Sequence, residues 1–257
     1  MRAEVAIELH RTAAGPVVAR GDLAGTPYWC RWDGTTLWIV GSAATPVGDD
    51  DIRFDLRVGE GVHAAVRSVA ATVVYAARGD GTKLTTRLHV AAGASLRWQP
   101  DPVIVTARAR HRSLLVAEVA AGATLISDEV VALGRSGEEA GPFTSTTDLR
   151  CDGVPVSLTS FDTAVPAWDG PAGTAGAKAV GTRLVVDPDH GPEAAPRVDP
   201  TGVVLHPEGG GAIATVLGGD PATVRARLED LLPDPGTGTR VALSPAAEAA
   251  TLVAARG

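Results

Sequence analysis

Lysine is nearly absent from this chain: Lys83 and Lys178 stand alone among 257 residues, and arginine carries almost all the positive charge. With alanine and glycine abundant, this reads as a coding bias and not as a functional signal. Aromatic residues make up 4% of the chain and the formal net charge is -7. Nucleic acid needs a basic face to neutralise its phosphates, so a mildly acidic chain excludes it as the expected partner. Cys30 and Cys151 are the only cysteines, far apart and without histidines at metal-ligand spacing. That excludes a disulfide framework and a cysteine-rich zinc site, and leaves two packed thiols. No run approaches the ~20 apolar residues that span a bilayer. Met1 to His10 alternates charge with apolar residues and lacks the apolar stretch and cleavage site of a secretory signal. The expected location is therefore cytoplasmic, with no membrane attachment.

Catalytic signatures are missing as well. There is no nucleophile elbow, no phosphate loop of the GxxxxGK type, no His-Glu-x-x-His and no Gly-rich turn opening a helix after a strand. His206-Pro-Glu-Gly-Gly-Gly211 is Gly-rich but precedes a strand, whereas phosphate binding relies on a helix N-terminus.

What the chain does contain is a repeat. Val90-Ala-Ala-Gly-Ala-Ser-Leu96 returns as Val119-Ala-Ala-Gly-Ala-Thr-Leu125, and Val58-Gly-Glu-Gly-Val62 is a third copy. Aligning Gly61, Gly93 and Gly122 places Leu56, Leu88 and Ala117 together, separated by 32 and 29 residues, and likewise Val58, Val90 and Val119. An alternating strand precedes each turn and another follows it, which predicts stacked two-strand units, each covering the face its neighbour exposes. Between copies two and three, Gln99-Pro-Asp-Pro-Val-Ile104 is a double-proline corner that no helix interior tolerates.

The flanks are also mostly β. Residues 3 to 9 alternate as a half-buried strand, and Tyr28 to Val40 reads as a hairpin around Asp33-Gly34. A second hairpin is expected around Asp152-Gly153. From Trp168 to Pro207 only Thr182 to Val186 reads clearly as a strand, followed by Ile213 to Leu217. Asp220 caps a predicted helix over about 220–232, with Pro221 at its first position and Val224, Leu228 and Leu231 on one face. A second, alanine-faced helix is expected over Ala246 to Ala255. The fold class is thus mainly β, with layered, stacked sheets and about two short C-terminal helices. The expected organisation is a single domain over 1–257, with a repeat core at about 50–161.

Several polar groups stand out. Glu129 or its neighbour Asp128 must face the interior of an apolar strand, and burying a carboxylate is costly unless it is paired or hydrated. Such groups along a hydrated passage suit transient binding of a hard or borderline divalent cation. The same carboxylates also fit a carbohydrate-active enzyme or binding module on a β-helical frame. Asp49 to Asp51 reads on composition alone as a solvated turn. Arg108, Arg110 and Arg112 alternate with Ala107, Ala109 and His111, which places three guanidinium groups on one side of a strand. They are either the charged protection of an exposed edge or a docking surface for an acidic partner.

Ala70-Ala-Thr-Val-Val-Tyr75, then Val90 to Ile104 with its Pro-Asp-Pro-Val-Ile corner, then Glu129-Val-Val-Ala-Leu-Gly-Arg135 and Phe143, together resemble the urease accessory protein D family, UreD, also called UreH. The resemblance runs from about Asp50 to Phe161. It implies a helicoid-like layered β architecture and a scaffold without turnover of its own. Such a scaffold binds the urease apoprotein, associates with UreF and through it with UreG, and assists nickel insertion, with nickel in transit and no permanently bound cofactor. The family's Gly-Gly-Asp motif falls on Gly48, Asp49 and Asp50. Thr72 takes a small hydroxyl position, and Glu129 an acidic position before Leu-Gly-Arg. By resemblance, then, Asp50, Thr72 and Glu129 are the oxygen donors along a nickel route. The chain departs from the family at Asp49, at Val73 and at Arg97, which replace a glycine, a lysine and a glutamate.

Overall fold

Alternating apolar residues dictate strands with one buried face, and the turns between them decide how those strands stack. The computed structural model describes residues 1–15, 17–187, 195–208 and 210–235; the helix expected over Ala246 to Ala255 lies outside them. The described elements are β1 (Arg2–Arg11), β2 (Val17–Gly21), β3 (Tyr28–Trp32), β4 (Thr36–Gly41), β5 (Asp51–Val58), β6 (His63–Ser68), β7 (Thr72–Val74), β8 (Thr82–Val90), β9 (Ser95–Trp98), β10 (Val103–Val105), β11 (His111–Val119), β12 (Thr124–Leu133), β13 (Phe143–Cys151), β14 (Val154–Asp162), β15 (Ala179–Val186), β16 (Arg197–Asp199), β17 (Gly202–Leu205), β18 (Ala212–Gly218) and α1 (Pro221–Leu231).

They form two sheets. One runs β14-β13-β11-β8-β5-β1-β2. The other runs β16-β17-β18-β15-β12-β9-β6-β4-β3, with β7 and β10 attached beside β12. Each repeat unit sends one strand into the first sheet, turns through a glycine, and sends the next into the second. Gly61, Gly93 and Gly122 have φ of 62°, 65° and 73°, the left-handed region that the tight turn requires and that a side chain disfavours.

The sequence spacing becomes the hydrogen-bond register. Leu56 lies opposite Leu88 in the parallel pair β5/β8, and Leu88 opposite Ala117 in β8/β11. The stack continues one strand further at each side: Ile7 of β1 partners Leu56, and Leu149 of β13 partners Ala117. Both predicted hairpins are present, β3/β4 and β13/β14, the second with Asp152 and Gly153 at positive φ.

Between the sheets lies the main apolar core, including Ile7, Leu9, Leu37, Phe54, Leu56, Leu88, Leu96 and Leu125, with the Phe54 ring 5.6 Å from Trp98. Burial of such side chains contributes roughly 1.5–3 kcal/mol each. Both cysteines are free and pack on this core. Burial pushes the Cys30 thiol up to about 11. A smaller cluster, with Val74, Val105, Val131, Leu133 and Phe143, fills the other end of the inter-sheet space.

The helix α1 covers the outer face of the second sheet, where Val224, Leu228 and Leu232 meet Ile126, Val130, Val185 and Val216. Asp220 caps it by accepting from the Thr223 N–H at 2.9 Å. Contact is close at Gly181: a Cβ there would meet Val224 at 2.4 Å. No described helix is long and apolar enough to cross a membrane.

Two expectations require correction. The Gly- and Pro-rich stretch before Pro207 holds two strands, β16 and β17, beyond the expected β15, since short strands pairing at a sheet's end carry too few residues to show a period. The arginine-bearing segment is also not a single edge strand. After β10 the chain turns, with the Ala109 N–H donating to Thr106 O at 3.0 Å, and β11 starts only at His111 as an interior strand. Arg108 and Arg110 lie in the turn and only Arg112 is on the strand. Ala109 is buried while its arginine neighbours are exposed, so a turn reproduces the alternation of a strand.

Candidate functional site: a polar band between the sheets

Strand β12 is buried on both sides, and its two adjacent carboxylates face opposite ways. On the inner side Leu125 belongs to the main core and Val131 and Leu133 to the smaller cluster, with Ser127 and Glu129 between them. Two strands of the opposite sheet reach Glu129. Ser113 of β11 donates to Oε1 at 3.3 Å, and Ser145 of β13 donates to Oε2 at 2.5 Å. Thr182 of β15 is its partner in register. The buried Thr86 and Thr147 flank Leu115, the next inward residue of β11. A band of hydroxyl groups around one carboxylate thus separates two apolar clusters.

Burial pushes the Glu129 carboxyl above its ordinary range, and the two serine hydroxyls offset only part of that shift. Next to this band His111 is fully buried, stacked on Phe143 with ring centres 6.0 Å apart. Its Nδ1 lies 2.7 Å from Thr82 Oγ1. Burial pushes its imidazole down to about 4, so it is neutral at neutral pH.

Asp50, Thr72 and Glu129 do not converge. Asp50 is buried ahead of β5, with Oδ1 2.5 Å from the Met1 amino group. Its Oδ2 accepts from Thr45 Oγ1 at 2.7 Å and the Val47 N–H at 3.0 Å. Burial raises its pKa, but these bonds outweigh it and hold the carboxyl below the ordinary range. Thr72 lies in a row with Val103 and Val131, so the strand β10 separates it from β12, which carries Glu129. Among the described residues no three His, Cys, Asp or Glu side chains gather as a metal cluster. Asp50, Thr72 and Glu129 stand apart, and among the described residues they form no closed coordination sphere.

Asp128, on the outer side of β12, has a different environment. Arg183 of β15 binds it with two bonds of 2.7 Å, and Gln99 Nε2 adds a third at 2.9 Å. The same guanidinium donates to Leu232 O at 3.1 Å, beyond the end of α1. Asp234 pairs with both Arg183 and Arg97, so the base at Arg97 has an acid to meet. Asp101, held between its two prolines, lies 3.5 Å from Arg225 of α1. Sequence reasoning missed Arg183, whose only trace was one charged residue within an otherwise apolar strand. Because Asp128 and Glu129 lie on opposite sides of a sheet, they are not a facing pair of glycosidase acids.

Two sheets stacked on a short repeat, with a hydrogen-bonded carboxylate between them, define a layered, mainly β protein. The model of the UreD urease accessory protein family matches residues 25–244, and the chain belongs to that family. It is 35% identical to the urease accessory protein UreD of Frankia alni, across 90% of this chain and 85% of the relative. It is 36% identical to UreD 1 of Saccharopolyspora erythraea, across 76% of each. With UreD of Streptomyces coelicolor it shares 34%, across 76% of this chain and 80% of the relative. The resemblance carried by the Pro-Asp-Pro corner and the Leu-Gly-Arg segment is borne out.

Proposed function

We propose that this urease accessory protein acts as a non-enzymatic scaffold in the cytoplasm that bridges the urease apoprotein to UreF, and through UreF to UreG, while nickel passes along the polar band on its way to the urease active site. The observation that carries this reading is Glu129, an inter-sheet carboxylate whose hydrogen-bond partners among the described residues are hydroxyl groups. Serine and carboxylate oxygens are hard donors, which hold a borderline cation such as nickel weakly enough to release it. Glu129 supplies the charge, and Ser113 and Ser145 supply further oxygens. Thr72 lies on the same inner side, farther along. Asp50 stays in the proposed route as an acid already occupied by an ammonium group, so a cation reaching it must displace that contact. The exposed Arg108, Arg110 and Arg112 are assigned to docking of an acidic partner surface.

The test is urease activation in cells carrying Glu129→Gln, which keeps the hydrogen-bonding shape and removes the charge. Activation is expected to fall while co-purification with urease and UreF is retained. Full activation with Glu129→Gln overturns the route; loss of co-purification instead assigns Glu129 to the fold.

A further inference from the structure

The turn that carries Arg108 and Arg110 lies beside the turn that carries Arg78, and together with Pro142 they enclose an open cavity of about 250 Å³ lined by residues 77–79 and 107–110. The arrangement is built by backbone contacts. Ala77 N–H donates to Arg108 O at 2.9 Å, Thr82 N–H to Arg110 O at 2.9 Å, and Arg110 Nη1 to Gly79 O at 3.2 Å. Gly81 permits the approach, since a Cβ there would lie 2.3 Å from Arg110 O.

Three guanidinium groups thus border one hollow in a chain of net charge -7. Carboxylates stand near the hollow without pairing with these guanidinium groups: Asp80 is exposed in the Arg78 turn itself, and Asp49 lies against Gly79. Asp49 accepts from the Gly81 N–H at 3.4 Å, and Glu138 pairs with Arg135 at 2.8 Å. Among the described residues Arg78, Arg108 and Arg110 form no ion pair. The N–H groups of Gly79, Arg108 and Arg110 also have no acceptor among these residues. A cluster of cations and free donors around a hollow is a complement to carboxylate oxygens, which guanidinium forks grip two at a time.

Size narrows the occupant. At ~30 Å³ per water the hollow equals about eight waters, too small for a helix of ~10 Å diameter and adequate for one or two acidic side chains. The border favours a protein over a free anion. Tyr75 and Val47 are exposed and lie on the segments joined to the hollow by the Tyr75 N–H to Pro46 O bond and the Gly48–Ala77 bridge. Exposed Tyr beside Arg is the composition of interface hot spots.

We infer that this cavity receives an extended acidic segment of a partner protein, with Arg78, Arg108 and Arg110 gripping its carboxylates and Tyr75 packing on its backbone. The inference deepens the docking role proposed above and rests on it. It also adds Arg78 to the gripping residues and leaves out Arg112, which lies apart on β11.

The experiment uses the full chain and a fluorescein-labelled hexaglutamate peptide, followed by anisotropy without urease or nickel, so its failure is distinct from failure of the nickel route. Binding is expected, and Arg78→Ala/Arg108→Ala is expected to weaken it by about tenfold or more, the scale of losing charge-assisted hydrogen bonds. Arg112→Ala is expected to leave it within about twofold, as a rim charge would. Equimolar inorganic phosphate is expected not to displace the peptide. The inference is overturned if the wild-type chain does not bind, if the double variant binds normally with unchanged circular dichroism, if Arg112→Ala is equally harmful, or if phosphate displaces the peptide.

Discussion

Asp128 and Glu129 are neighbours on one strand and live in opposite worlds. Asp128 faces a guanidinium that is 1% exposed and is bound by it at two points. Among the described residues Glu129 is hydrogen-bonded by hydroxyl groups alone, and its pKa is raised by burial. The comparison teaches that burial alone does not decide what a carboxylate does: its partners do. A guanidinium makes the acid a structural fastener between β12, β15 and the end of α1. Two serines leave it a group whose charge is held at a cost.

The largest effect is expected from breaking the fastener. Asp128→Ala leaves the Arg183 charge buried without its main partner and should cost about 3–5 kcal/mol in urea unfolding. Replacing both residues with apolar ones of similar volume should recover most of that loss. A cost below about 1 kcal/mol for Asp128→Ala would erase the contrast.

Next comes acid. The folded-state pKa of His111 is depressed from 6.5 to about 4, so the unfolded chain takes up a proton first as pH falls. Its contribution, about 3 kcal/mol, is fully present above pH 6.5 and is lost between about 6.5 and 4. His111→Phe should flatten the stability profile in that window, as read from unfolding midpoints across pH.

Glu129 should give the smallest change, and of opposite sign. Its raised pKa means stability is highest below about 4.5 and declines as pH rises through the folded-state value. Glu129→Gln is therefore expected to raise the unfolding midpoint modestly at neutral pH. A lowered midpoint would move Glu129 to the side of Asp128.

The stacking was legible in the sequence because each unit pairs in register with the next, so the spacing of Leu56, Leu88 and Ala117 is itself the pairing. The site was legible only in part. Glu129 announced itself as a charge in an apolar strand, but Ser113 and Ser145 lie on the opposite sheet, 16 positions to either side of it, and no local pattern marks them. Arg183 was hidden in the same way, its partner 55 positions away. Asp50 read as a hydrated acid because its ammonium partner, 49 positions away, is visible only in three dimensions. The arginine turn was misread because alternation records which residues are buried, not whether the chain is extended.

The glycine turns have one more consequence. Each carries the chain from the first sheet to the second, and the longer connection that follows returns it one strand further along, a step of ~4.8 Å. The protein is therefore a ruler with fixed divisions. A gained or lost unit would move everything beyond it by a whole division, so the reach from the β1 end to the arginine hollow is set by counting turns and cannot be tuned continuously.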